Sequence, residues 1–550
     1  MPDTVPPGDR PDLAEMTRCQ EMTDAPGRPE TLGDLIAERA ATLGDKVACN
    51  WFQDERTLSF KDLHRQADRL AHSLSALGIR KGAHVAVMLP NVPETMITWT
   101  AIGRLGAVMV PINTAYTATE LSFVLNDADA QFIVIDENFV DLLDEMPDRP
   151  DLLTTQNVIV HGQPREGEQA LTELIRDGAH PFEPPTPVFG SDLLNIQYTS
   201  GTTGFPKGCM LTHDYWMRTG YTLAITRGPE EGIRNVLVWA PFFYMDGMWQ
   251  ILSAFYLSAT TYVARKMSIS HFFDWLHAFD INTCTFPEIA LKAHPASDDD
   301  ARLNLQYIYS FGWRPESKRE AERRFGCAAR DAYGMTELGT ATATPFSAGE
   351  WNFQRTCGLP MPDRQLKIVD ENGDPLRQGA DGELWVTGPG IMWGYYKRPA
   401  ANAGVFNGRW FRTGDIFRQD ENGYYHIVGR MKDMVKRSGE NIAAREVEAV
   451  LNGIDGILES AILPVPDPKR GEEVKAYLRL DEGWTAEKLP PQDILNACKA
   501  HLAAFKIPRY VAYVDDFPRT PTGKIAKERM KAEIDDLTAG AYDRVDDTWR

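Results

Sequence analysis

The sequence predicts an α/β protein. A large N-terminal domain of α/β sheets with a β-barrel-like subdomain is followed by a small α+β C-terminal domain. Three observations carry this expectation. From residue 31 to about 263, short apolar runs alternate with stretches of helical periodicity, the pattern of parallel sheets covered on both faces. From Gly358 to Ile427 the helical periodicity stops, and turns such as Glu371-Asn372-Gly373-Asp374 and Glu421-Asn422-Gly423 separate short strands. After Gly429 the character changes to compact α+β.

In chain order, residues 1–28 are rich in Pro, Asp and Gly and read as a flexible arm. Residues 31–79 read as helical, with Leu32, Leu35, Ile36 and Ala40 on one face, and Phe60, Leu63, Ala67, Leu70, Ala71 and Leu74 on another helix ending near Gly78. His84 to Leu89 and Ala107 to Pro111 are buried strands flanking a helix from Pro93 to Leu105. Helix Thr119–Leu125 and strand Gln131–Ile135 follow, then a connecting segment over 145–188. Leu193, Leu194, Ile196 and Tyr198 form a strand, and a helix begins near Thr212, His213 and Asp214. Val236 to Ala240 and Thr260 to Val263 continue the α/β pattern. Beyond the barrel-like section, helix Ala444–Leu451, strands Glu459–Pro464 and Val474–Leu480, and helix Pro491–Leu502 are the clearest pieces. The expected division is therefore 1–28, 29–430 and 431–550.

A chain of 550 residues is too long for one core. The net charge of −20, from 58 basic and 78 acidic residues, argues against a nucleic-acid partner and requires any anionic ligand to meet a locally positive pocket. Seven cysteines, an odd number without CxxC spacing, point to free thiols in a reducing compartment and against a zinc site. No apolar run reaches the roughly 18 residues of a bilayer span, and no h-region follows Met1. The expected location is the cytoplasm.

The chemistry concentrates in residues 198–208, Tyr198-Thr199-Ser200-Gly201-Thr202-Thr203-Gly204-Phe205-Pro206-Lys207-Gly208. Glycines let backbone N–H groups approach an anion, hydroxyls donate to phosphate oxygens, and lysine supplies a point charge. The spacing is not GxxxxGK[ST], because only two residues separate Gly204 from Lys207. Four further segments suit a nucleotide. Tyr333-Gly334-Met335-Thr336-Glu337 offers a face for adenine and oxygen ligands for Mg²⁺. Asp415, in Arg412-Thr413-Gly414-Asp415, sits on a turn where it could accept from two ribose hydroxyls. Gly429-Arg430-Met431-Lys432-Asp433 is charged and lies at the expected boundary, and Pro518–Ile525 places Lys524 on a loop set by proline and glycine.

Together with Gly382-Glu383-Leu384, Gly394-Tyr395-Tyr396, Trp410–Asp415 and Gly429–Glu448, these motifs resemble, in order and spacing, the adenylate-forming enzymes from about residue 30 to residue 530. That family includes acyl-CoA synthetases, non-ribosomal peptide synthetase adenylation domains and firefly luciferase. The chain looks most like bacterial carnitine/crotonobetaine-type and medium-chain acyl-CoA ligases. The resemblance implies that a carboxylic acid attacks the α-phosphate of ATP, giving acyl-adenylate and pyrophosphate, and that coenzyme A then displaces AMP. It implies that Thr199, Ser200, Gly201, Thr202, Thr203, Gly204 and Lys207 cradle phosphates, and that Glu337, Thr336 and Thr202 serve Mg²⁺. Tyr333 and Gly334 would meet adenine, Asp415 and Arg430 the ribose, and Lys524 the reacting carboxylate. By the same analogy Lys432 is a hinge about which a mobile C-terminal domain rotates, bringing Gly439 of Ser438-Gly439-Glu440-Asn441-Ile442 toward coenzyme A. Passage of the acyl group to a carrier protein is the alternative, and a homodimer is one assembly the sequence leaves open.

Two segments depart from the family pattern, both at the acyl pocket. Pro241-Phe242-Phe243-Tyr244-Met245-Asp246-Gly247 has Tyr244 where a histidine is common. Ser310-Phe311-Gly312-Trp313-Arg314-Pro315 has Trp313 where small residues are usual. Trp313 would shorten the pocket and argues for a short or medium, polar or aromatic acid. Arg314 either meets a second anionic group or is a surface charge. A sharper expectation groups Asp246, Tyr244, Trp249 and Trp313 as a cage for a betaine-type cation.

Overall fold

The computed structural model describes residues 10–199, 206–227, 232–438, 440–499, 501–519, 524–534 and 536–550. They fall into two compact units, the first made of the residues up to 199 with 206–366 and 386–411, the second of 367–385 and 412–550.

The first unit holds two seven-stranded sheets. One runs Ala328–Arg330, Tyr307–Tyr309, Thr283–Thr285, Asn235–Val238, Thr260–Val263, Val47–Trp51, Arg56–Ser59. The other runs Gln169–Ala170, Val158–His161, Phe132–Asp136, His84–Met88, Val108–Pro111, Leu193–Thr199, Lys207–Thr212. Each sheet is parallel except for its last pair, Val47–Trp51 with Arg56–Ser59 and Leu193–Thr199 with Lys207–Thr212. The central strands are almost wholly apolar because both faces are covered. In Phe132–Asp136 every residue is buried. A three-stranded antiparallel sheet of Ala332–Met335, Gly339–Ala343 and Leu359–Pro360 completes the set.

Helices form where local signals and burial agree. Ser59 caps helix Phe60–Ala76 by accepting from the Asp62 N–H, and the apolar stripe from Phe60 to Leu74 is buried. Helix Pro93–Leu105 starts on a proline at its first position and ends at Gly106, whose φ of 73° is left-handed.

Three expectations need correction. The arm is not loose over residues 11–24: Pro11–Asp24 is a helix. Its Glu15 accepts from the N–H groups of Phe346 and Ser347 at 2.9 Å, and its Cys19 thiol donates to the Ile225 carbonyl. The stretch 31–79 contains strands Val47–Trp51 and Arg56–Ser59 besides its two helices, the first of them paired with the distant Thr260–Val263. The segment 145–188 carries strands Val158–His161 and Gln169–Ala170 and helix Leu171–Asp177. In the first two cases a partner far along the chain supplies what local composition lacks, and in the third the strands extend the sheet from the neighbouring Phe132–Asp136.

The section expected to be barrel-like contains strands Gln365–Val369, Asp381–Thr387, Phe406–Asn407, Trp410–Gln419 and Tyr425–Arg430, with helix Pro399–Val405 among them. Residues 367–385 and 412–430 join the second unit, so the compact division differs from one drawn at residue 430. Farther along that unit, Gly471–Leu480 pairs with Ile457–Asp467, Met434–Arg437 and Tyr510–Tyr513, and Met434–Arg437 also pairs with Glu440–Ala443. Val435, Ile442, Val447, Leu451, Val474 and Ile494 fill its core. No helix among the described residues is long and apolar enough to cross a membrane.

Candidate active site

Two paired strands flank the stretch expected to cradle phosphates. Leu193–Thr199 and Lys207–Thr212 are antiparallel, with Thr199 opposite Lys207, so the residues on either side of that stretch are held together. Packing beneath it is tight. A Cβ on Gly208 would lie 2.5 Å from Ile196 Cγ2 and 3.1 Å from Tyr198 Cζ, which restricts this position to glycine. Tyr198 donates to Asp127 at 2.7 Å, and Lys207 Nζ stands 5.1 Å from the centre of the Tyr395 ring. Thr212 caps helix His213–Ile225. Ser200, Gly201, Thr202, Thr203, Gly204 and Gly439 lie outside the described residues, as does the side chain of Lys432, whose backbone belongs to the 3-10 turn Met431–Asp433.

In the first unit the carboxylate of Glu337 is buried, and its Oε1 accepts from the Tyr395 hydroxyl at 2.8 Å. The Met392 N–H donates to the Glu337 carbonyl at 2.9 Å, fixing its backbone. Burial, with the charge of Glu337 adding to it, pushes the Tyr395 phenol and the Cys209 thiol well above their ordinary ranges. Tyr395 therefore stays a donor and holds one carboxylate oxygen in place. Its motif was visible in the sequence, but its role was not, because Tyr395 is 58 residues from Glu337. Thr336 is half-buried beside it, Tyr333 is buried on strand Ala332–Met335, and Gly334 is exposed. A Cβ on Gly334 would come within 2.5 Å of the Gly339 carbonyl oxygen.

The residues expected at the acyl pocket separate into distinct surroundings. Tyr244, half-buried, accepts from Asn113 Nδ2 at 3.3 Å at the start of helix Met245–Tyr256. Loss of hydration pushes the Asp246 carboxyl up to about 6, opposed by a hydrogen bond with Gln250 and by the charge of Arg227. Arg227 is buried, its Nε donates to the Tyr309 hydroxyl at 3.0 Å, and its guanidinium lies 5.0 Å from that ring's centre. Trp249 meets the same Tyr309 edge to face at 5.2 Å. Trp313 packs elsewhere, against Phe286 at 5.6 Å within the apolar core. The four residues grouped as a cation cage thus do not share one ring of aromatics, and the charge of Arg227 already acts on Asp246. Gly312, with a left-handed φ of 67°, donates its N–H to both oxygens of Asp331, and Arg314 is exposed at the start of helix Pro315–Phe325. Sequence reasoning missed Arg227 because nothing local marks it. Its significance comes from Tyr309, 82 residues away.

In the second unit, the pairing of Trp410–Gln419 with Tyr425–Arg430 sets Asp415 opposite Arg430. Arg430 Nε donates to Asp415 Oδ1 at 3.0 Å, and Asp415 is buried. Thr413 steadies the turn by donating its hydroxyl to the Leu384 carbonyl and accepting from the Asp415 N–H. Glu383 accepts from the Gly414 N–H at 3.1 Å. Lys524, from a separate segment, is within electrostatic reach of this cluster. Loss of hydration lowers its ammonium below the ordinary range, Arg430 and Arg445 lower it further, and Asp415 opposes them. The residue keeps contact with solvent all the same. An aspartate, two arginines and a lysine from separate segments make a field suited to an anionic ligand.

Two family models match the chain. The model of the AMP-binding enzyme family matches residues 36–396, and that of the AMP-binding enzyme C-terminal domain matches residues 446–524. The chain is 30% identical over 490 residues to the crotonobetaine/carnitine–CoA ligase of Proteus mirabilis (strain HI4320), covering 86% of this chain and 93% of that one. It is 29% identical to the fatty acid–[acyl-carrier-protein] ligase ScoC of Streptomyces coeruleorubidus, covering 86% and 91%. The crystal structure of ATP-bound MatB from Rhodopseudomonas palustris superposes with a TM-score of 0.81 at 26% identity, over 92% of this chain and 99% of that one. With the family model spanning most of the first unit and its C-terminal partner lying in the second, the chain belongs to the AMP-binding enzyme family, the adenylate-forming ligases.

Proposed function

We propose that this protein is an AMP-forming acid–CoA ligase acting on a short or medium, polar or aromatic carboxylic acid. The observation that carries the reading is the Asp415–Arg430 pair, whose two strands are neighbours, with Lys524 of a distant segment acting electrostatically on both. In this reading the acid's carboxylate attacks the α-phosphorus of ATP and pyrophosphate leaves. The thiol sulfur of coenzyme A then attacks the acyl carbon, its proton is released, and AMP leaves. Thr199, Lys207 and the residues between them hold phosphates. Asp415, steadied by Arg430, accepts from ribose hydroxyls. Tyr333 meets adenine. Lys524 stabilises charge developing between carboxylate and phosphate, worth about 3 kcal/mol or more.

Glu337 and Thr336 offer oxygen donors of the kind Mg²⁺ takes, and Tyr395 fixes one Glu337 oxygen. They would hold the ion, whose chemistry is neutralisation of phosphate charge. The lid role of residues from about 431, hinged at Lys432 and carrying Gly439 toward coenzyme A, belongs to this proposal, as does a cytoplasmic location. Tyr244, Asp246 and Trp249 line the acyl pocket in this reading, with Gly312 and Arg314 toward its mouth. The polar set of Asp246, Gln250, Arg227 and Tyr309 favours an acid with a polar or aromatic body over a long alkyl chain. A carnitine-like acid and a carrier-protein acceptor are the second readings, favoured by the names of the two relatives described above.

The deciding experiment measures AMP and pyrophosphate release from Mg·ATP across a panel of carboxylic acids, with and without coenzyme A, for wild type and Lys524→Ala. Wild type should turn over only with coenzyme A and a matching acid. The variant should lose adenylation at least about a hundredfold yet still make thioester from supplied acyl-adenylate. Equal loss of both half-reactions would refute the role given to Lys524. Pyrophosphate release that ignores coenzyme A would move the acceptor to a carrier protein.

A further inference from the structure

Away from these residues, in the first unit, one grouping of His, Cys, Asp or Glu among the described residues brings three ligand atoms within 4.8 Å of one another: His64, Asp68 and His180. His64 and Asp68 are four residues apart on helix Phe60–Ala76, so they share one face. His180 follows helix Leu171–Asp177, which is tied to the same helix by Ser73 donating to the Leu174 carbonyl at 2.7 Å. Both imidazoles address one carboxylate oxygen. His180 Nδ1 is 2.7 Å and His64 Nε2 3.8 Å from Asp68 Oδ2. The two rings stand nearly perpendicular at 88°, their centres 5.5 Å apart. Asp68 is fully buried and cannot turn away, because Arg104 engages Oδ1 and the Phe182 N–H donates to Oδ2 at 3.2 Å. It therefore presents a single oxygen between the two rings.

We propose that His64, Asp68 and His180 form a Zn²⁺ site that clips the segment around residue 180 to helix Phe60–Ala76. The donor set is one that Zn²⁺ accepts: two imidazole nitrogens and a carboxylate oxygen, with a fourth position for water on the exposed side of His180. Ligands about 2.1 Å from a tetrahedral ion lie about 3.4 Å apart. The His180 contact at 2.7 Å must open by about 0.7 Å and the His64 contact at 3.8 Å must close by about 0.4 Å, through turns of the two rings. The spacing of the seven cysteines argues against a zinc site. This site uses none of them. Arg104 offsets the charge of Asp68, so the assembly with Zn²⁺ is cationic. That charge weakens binding relative to a site without the arginine, and the proposed role is structural reinforcement.

Titration of the full chain with Co²⁺, a spectroscopic stand-in for Zn²⁺, tests this directly. One equivalent of Co²⁺ should develop the visible ligand-field band of a four-coordinate ion, and Zn²⁺ should displace it and raise the melting temperature in a concentration-dependent way. His180→Ala and His64→Ala should each abolish the band and the zinc-dependent rise, while His277→Ala, at an exposed histidine of another helix, should keep both. His180→Ala removes an exposed side chain, so its metal-free melting curve reports whether the fold survives. Absence of the band and of the rise in wild type, or their persistence in folded His180→Ala, would overturn the proposal.

Discussion

Raising the pH through the slightly alkaline range tests a charged network at the carboxyl ends of the strands in the second seven-stranded sheet. His161 Nδ1 lies 2.8 Å from Asp136 and Nε2 3.5 Å from Glu94. Arg56 holds Glu94 through contacts of 2.6 and 3.0 Å. Hydrogen bonds to Asp136 and then to Glu94 keep the His161 imidazolium up to about 9, against an ordinary value of 6.5. Burial pushes Glu94 up, but its bonds with His161 and Arg56 outweigh that and hold it at about 2. The two shifts share one contact and are not added. The imidazolium's share is about 3 kcal/mol, a ceiling because 21% of the His161 side chain is still in water. A raised pKa stabilises the fold fully below the unfolded value, and this contribution is lost as pH rises from about 6.5 to about 9. Urea unfolding of wild type and His161→Gln at pH 6, 7.5 and 9.5 reads it out. The stability of wild type should fall by up to about 3 kcal/mol more than that of the variant across the series. Parallel pH curves would show that His161 is not held charged, and the reasoning would fail.

Two further outcomes follow from the site. Tyr395→Phe removes the hydroxyl that holds Glu337 Oε1, a bond to a charged group worth about 1.5–3 kcal/mol. AMP release should fall about tenfold or more and demand more Mg²⁺, and an unchanged Mg²⁺ dependence would separate Tyr395 from the metal. Gly208→Ala forces a methyl to 2.5 Å from Ile196. It should destabilise the first unit by about 1–3 kcal/mol, seen as a lowered melting temperature, and a wild-type melting curve would mean that the paired strands yield.

Much of this protein was legible because its signals are local. The helix from Pro93 to Leu105 is announced by proline at one end and glycine at the other, and Thr212 marks the start of helix His213–Ile225. The family was equally plain, since motifs of Gly, Thr, Lys and Asp at fixed spacings carry the resemblance in residue type and order. Strand Val47–Trp51 was missed because it is stabilised by Thr260–Val263, over two hundred residues away, and no local period records such a partner. The arm reading failed for the same reason: polar composition said loop, while Glu15 and Cys19 found partners at Phe346, Ser347 and Ile225. The sequence by itself thus determined the α/β class, the family and the residues that carry charge. Tertiary structure decided which charges meet: Lys524 with Asp415 and Arg430, Tyr395 with Glu337, Arg227 with Asp246, and His180 with Asp68. Each of these depends on distance through space, which closes only after the intervening sheets have paired.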